Sequence, residues 1–222
     1  MGIGTELPAE GVPSSREKIL DTAEAVFAAR GFAGVGLREV AERVGLGKSS
    51  LFHHFPSKHA LYVAVLERIL QRIADRVHTA AGRSGPAPGR LQAWLHAVVD
   101  CLAEHPSYAP LLLRALFEAG VVEPQEQEHL DRILERTLRS VREILAGGIE
   151  SGELHPVSIS HTIQTLIGMT VYHFASGEFG EEVIGHPIYS AAEVRRQKQH
   201  IDQFCRRVLC RVPAQGGSRW TS

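Results

Sequence analysis

Lys48, Ser49, Ser50, Phe52, His53 and His54 crowd into one short stretch, GKSSLFHHF, running from Gly47 to Phe55. Hydroxyls and imidazoles both donate and accept hydrogen bonds, and a lysine ammonium binds phosphate, so these side chains suit a surface that reads base edges. Coiled as a helix, the stretch turns 100° per residue. With Leu51 and Phe55 facing inward, Ser49 and His53 point most directly outward. Ser50 lies beside them, and Phe52 and His54 take the flanks. Lys48 stands in the first turn, where a cation opposes the helix dipole, and a locally unfavourable residue of this kind marks a functional position. The plain alternative is an exposed helix with ordinary polar residues.

Other reactive patterns are weaker. A di-iron bundle needs two Glu-x-x-His pairs and two further glutamates; Glu126–His129 is one such pair and no second follows. The chain lacks HExxH, zinc-spaced cysteine–histidine sets, GxSxG and a phosphate-binding glycine loop. His53 and His54 are adjacent, so one helix cannot aim both at a single ion. The sequence therefore predicts no catalytic residues, no metal site and no cofactor. Cys101, Cys205 and Cys210 are odd in number and form no CxxC pair. They read as free, buried thiols of a reduced compartment. Without a membrane-length apolar run or a signal pattern, the cytoplasm is the expected location.

The elements that must position Ser49 and His53 are legible upstream. Leu37, Val40, Ala41 and Val44 form the stripe of one helix face. Gly45 follows, where helices end in a left-handed residue that glycine adopts at little cost. Gly47 caps a second helix, and Pro56 drives Phe55 out of the helical region. Two short helices over a glycine turn make a helix-turn-helix, whose second member enters the major groove. Net charge is −1 over 222 residues, so the molecule as a whole is no general polyanion binder. From Ser14 to Lys58, however, Arg16, Lys18, Arg30, Arg38, Arg43, Lys48 and Lys58 outnumber the acids.

The stretch from Ser15 to about Leu70 resembles the DNA-binding domain of the tetracycline-repressor (TetR) family. Phe27, Gly31, Phe32, the two-helix motif, His54, Phe55 and Lys58 carry the resemblance. It implies an all-α fold: an N-terminal three-helix DNA-binding domain and a C-terminal helical domain for ligand binding and dimerisation. Two residues depart from the family pattern. Gly36 replaces a usual threonine and Phe52 a usual tyrosine, each implied to contact a phosphate, so both hydrogen bonds are missing. Gly36 can still cap, with Glu39 as the other half of a capping box.

Residues 1–12 read as a flexible leader, 13–73 as the DNA-binding domain with its motif at 36–55, 74–212 as the second domain and 213–222 as a flexible tail. Ser57 caps a long fourth helix with Leu61, Val65, Ile69, Ile73 and Val77 spaced by four. Gly82 to Gly89 is expected to be a loop, with a helix from Leu91 to Glu104. A nearly all-apolar helix from Tyr108 to Glu118 is expected in an interior or lining a pocket. Pro124 opens a helix with a seam of Leu130, Leu134, Thr137, Val141 and Ile144, ending in a turn from Gly147. A wide apolar face from Ile159 to Phe174, a glycine-rich loop after Ser176 and a last helix near Ala191–Arg211 complete the chain.

The implied function is a ligand-responsive regulator, chiefly a repressor, that binds a palindromic operator as a homodimer paired through the last two long helices. Ser49, Ser50 and His53 are expected at base edges, with Gly47 and Lys48 close to the DNA. Arg38, His54 and Lys58 are expected at phosphates, and Phe52 at a thymine methyl or sugar face. Trp94, Tyr108, Leu112, Arg114, Phe117, Met169, Tyr172 and His173 are candidate linings for an apolar or amphipathic effector, with plain core as the competing reading. Rival readings are a helical dimer that binds a protein and has lost DNA binding, and a helical metal enzyme. No membrane partner is expected.

Overall fold

The computed structural model describes residues 14–82, 84–118 and 120–211. The expected leader and tail lie outside them. The described chain is all-α and forms two compact units that divide between Val65 and Leu66. This division and the expected one after residue 73 both fall inside the same helix.

In the first unit, α1 spans Ser15–Arg30, and Ser14 caps it by accepting the Glu17 N–H at 3.3 Å. Its Ile19, Ala23, Val26 and Phe27, spaced by three and four along one face, are buried. Full burial of a side chain such as Phe27 contributes roughly 1.5–3 kcal/mol. Helix α2 spans Leu37–Val44 and stops at Gly45, whose φ of 75° lies in the left-handed region. Helix α3 spans Lys48–His54 from a Gly47 cap, and Phe55 is extended at φ −138°. Val40, Ala41, Leu51 and Phe55 bury their side chains beneath these helices, and Tyr62 of α4 (Lys58–Ala81) meets Phe27 edge-on at 5.0 Å. Glu39 departs from expectation. Its carboxylate is taken by Arg30 and by Arg43, the latter at 2.9 Å, and the start of α2 has no side-chain cap. Two guanidinium groups outcompete one backbone N–H for that carboxylate, and the hydrogen bond from Arg30 holds its pKa below the usual range.

In the second unit, α5 (Ala87–Glu104) packs against α7 (Pro124–Glu150) and α11 (Ala191–Val208). Helix α5 starts before the expected Leu91. Proline is accepted in a first turn, and Glu153 caps the helix by taking the Ala87 N–H at 2.5 Å. Helix α7 runs through Gly147 and Gly148 where a turn was expected. Gly148 is buried where an added Cβ would lie 2.6 Å from Leu154 and 2.7 Å from Ala87, so glycine there serves close packing. The seam uses Ile133, and Leu134 is exposed.

Helix α6 (Tyr108–Phe117) departs from the interior expectation at its end: Leu116 is 74% and Phe117 78% exposed. Helix α8 (Ile159–Ile167) widens into a π turn over Gly168–Tyr172 before α9 (His173–Ala175). The glycine-rich stretch after Ser176 is not a loop but α10 (Gly177–Ile184). Gly180 there is buried so close to Ser176 that a Cβ would overlap its hydroxyl. The last helix ends at Val208, whose apolar side chain is exposed.

Candidate nucleic-acid interface

The surface of α3 is fixed by what its other side buries. Leu51 is 0% and Phe55 3% exposed, so the rotation of a helix only two turns long is set by two anchors. Ser49, Ser50 and His53 are consequently exposed, as their spacing predicts, and His54 is half-buried. Ser49, Ser50, His53 and His54 join Leu46 and Ser15 around a recess of about 400 Å³. Ser15, the first residue of α1, was not singled out by sequence reasoning. No periodicity in the chain signals its place here, because the contact exists only once α1 crosses the motif.

The cations are held in different ways. Arg38 pairs with Glu42 at 2.9 Å on an exposed edge. Such pairs are worth only about 0–1 kcal/mol, so a phosphate can displace the glutamate. Lys58 is engaged within the fold: its Nζ donates to the Val35 carbonyl at 2.9 Å and lies 4.3 Å from the Phe32 ring centroid. Lys48 Nζ lies 5.5 Å from the centroid of Phe52, which is 38% exposed. Arg16 Cζ lies 5.3 Å from the centroid of Phe55. Arg16 is another residue that sequence reasoning counted as charge but did not place at the site.

The candidate effector residues do not converge. Trp94 is core, donating from Nε1 to Ser140 at 2.9 Å. Tyr108 is fully buried, accepts from Arg72 at 2.8 Å and stacks on His105. Leu112 is half-buried, and Arg114 and Phe117 are exposed. Only Met169, Tyr172 and His173 come together, around a groove of about 230 Å³ shared with Phe179, Val183 and Gln197. His173 Nε2 is buried there without a hydrogen-bond partner among the described residues, and burial pulls its pKa down. No group of three or more His, Cys, Asp or Glu side chains suited to a metal occurs among the described residues. His129 of the Glu-x-x-His pair instead meets Glu67 at 3.0 Å, and Glu126 turns back to the Glu123 N–H at 3.3 Å. No helix among the described residues is long and apolar enough to cross a membrane.

Known proteins match the same regions. The family model for bacterial regulatory proteins of the tetR family matches residues 19–65, which contain the whole motif. The HTH-type transcriptional activator FasR of Mycolicibacterium smegmatis is 30% identical over 159 residues, 70% of this chain and 69% of its own. The HTH-type transcriptional regulator RutR of Escherichia coli K12 is 29% identical over 165 residues, 74% of this chain and 75% of its own. Among solved structures, the TetR-family regulator PfmR from Thermus thermophilus has a TM-score of 0.75 at 18% identity. The match covers 90% of this chain and all of that one, and it shows the shared fold.

Proposed function

Because this chain belongs to the tetR family of bacterial regulatory proteins, a family of ligand-responsive DNA-binding regulators and not enzymes, we propose that it reads a palindromic operator through Ser49, Ser50 and His53. The observation that carries the reading is the exposure of these three side chains on a helix whose rotation Leu51 and Phe55 fix. One such helix contacts too few bases to select a site in a genome. A two-fold dimer doubles the contacts and places its helices about one DNA turn, or a multiple, apart, so the operator is an inverted repeat. The motif at 36–55 and residues 13–73 around it form the DNA-binding domain, and residues 74–212 the effector and dimerisation domain. The copies pair through α8 with its π turn and through α11, where Tyr172 and Val208 present exposed apolar side chains.

The effector is apolar or amphipathic and occupies the groove of Met169, Tyr172 and His173, where the His173 Nε2, without a partner among the described residues, suits a single polar group on the ligand. It releases the operator by preferring the non-binding arrangement of the dimer, with leverage equal to that difference in affinity. Selection of bound fragments from genomic DNA tests the DNA reading. A recovered inverted repeat supports it, whereas no enrichment over input favours the protein-binding alternative. Thermal shifts against a metabolite panel test the effector, and stabilisation by small polar compounds alone would sink that part.

A further inference from the structure

The cations of the first unit differ in what neutralises them. Arg30 and Arg43 share Glu39, Arg38 has Glu42, and Lys58, although it also lies over the Phe32 ring, is tied to the Val35 carbonyl. A carboxylate cancels the charge it holds. An aromatic face does not: it attracts a cation through its quadrupole and leaves the net charge intact. Lys48 and Arg16 are held in this second way, over Phe52 and Phe55. Among the described residues Lys48 meets no carboxylate, and Arg16 has only a 3.9 Å approach to the half-buried Glu17. The two rings sit at the flank and the end of α3, and Ser15, beside Arg16, borders the same recess as Ser49 and His53.

We infer that Lys48 and Arg16 are phosphate-gripping cations pre-positioned by the Phe52 and Phe55 rings, and that Lys48 on Phe52 stands in for the missing tyrosine hydroxyl. The inference rests on the DNA-binding reading. Phenylalanine at position 52 cannot donate to a phosphate, yet its exposed face holds an ammonium that can. Holding a long, flexible side chain near its bound position lowers the entropy lost when a phosphate orders it. The same pair could serve only to stabilise α3, since positions four apart on a helix are neighbours. Salt dependence separates the two roles, because only a phosphate contact releases counterions.

The test uses the full chain and a mixed-sequence 40-base-pair duplex, with binding followed by fluorescence anisotropy over a series of salt concentrations. Lys48→Ala and Arg16→Ala should each lower the slope of log affinity against log salt by about one per protomer bound. Phe52→Leu keeps the charge but removes its seat. It should preserve the slope while weakening binding about two- to fivefold, and it should abolish the ring-current shift of the Lys48 ε-protons in NMR spectra. Phe52→Tyr retains the seat and adds the hydroxyl, so it should bind at least as tightly as the parent. Unchanged slopes in both alanine variants, with the parent binding duplex, would overturn the inference and leave the DNA-binding reading standing. Full affinity in Phe52→Leu would overturn the role of the ring. A parent chain that binds no duplex even at low salt would remove the reading itself.

Discussion

Gln197 of α11 donates from Nε2 to the main-chain carbonyl of Met169 at 2.8 Å, so a buried side chain on one helix holds the π turn of another. A π turn shifts the hydrogen-bond register and leaves carbonyls without their usual partner. Thr170 covers others, donating from Oγ1 to Leu166 at 2.9 Å and to Ile167 at 3.1 Å. Met169, Tyr172 and His173 line one groove beside this turn, as positions i, i+3 and i+4 of a helix share a face.

Gln197→Leu should therefore cost about 0.5–1.5 kcal/mol of folding stability, the net worth of one hydrogen bond. Urea denaturation measures this. A loss below about 0.5 kcal/mol would mean that the π turn holds without Gln197.

Lys58 ties the start of α4 to the loop before α2 through the Val35 carbonyl and the Phe32 ring. Lys58→Met keeps the apolar stem but removes the donor, and should destabilise the chain by about 1–3 kcal/mol. Thermal melting followed by circular dichroism would show it. An unchanged melting temperature would return Lys58 to the simpler role of a surface cation free to meet phosphate.

The motif was legible in the sequence because its signals are local. Gly45, Gly47 and Pro56 set the ends of α2 and α3 through backbone conformation alone, and Leu51 with Phe55 set the inward face. What escaped was decided by distant partners. Glu153 extends α5 backward from across the unit, and two arginines draw Glu39 off its capping role. Glycines such as Gly148 and Gly180 looked like breakers but are contact points inside helices. The exposed Leu116 and Phe117 follow the same rule, since an apolar run says nothing of whether a neighbour arrives to cover it.

Cys205 is buried at the end of α11, and burial pushes its thiol from an ordinary pKa of 9.0 to about 12. A thiol that is harder to ionise when folded favours the folded chain fully below its unfolded pKa. That contribution is lost as pH rises from about 9 toward about 12, where the folded thiol also ionises. Stability should thus fall less steeply between pH 8.5 and pH 11 in Cys205→Ala than in the parent, whatever packing the substitution costs at neutral pH. Parallel slopes in paired denaturation series would contradict the burial of this thiol. Iodoacetamide should also label Cys210, which is half-buried, ahead of Cys205 and Cys101.

His53 and Ser49 share the outward line of α3, but they should fail differently when removed. An imidazole reaches further than a hydroxyl and can donate or accept at a base edge, so His53 is the stronger source of discrimination. A phosphate contact weakens all sequences alike, whereas a base contact alters the ranking among them. His53→Ala should relax preference at one or two positions of each half-site by about 1–3 kcal/mol, and the salt slope should stay near that of the parent. Sequencing of duplexes selected from a randomised library by the two proteins would reveal the difference. If His53→Ala scales affinity equally for every sequence, the histidine faces the backbone, and Ser49 with Ser50 carry the reading of bases.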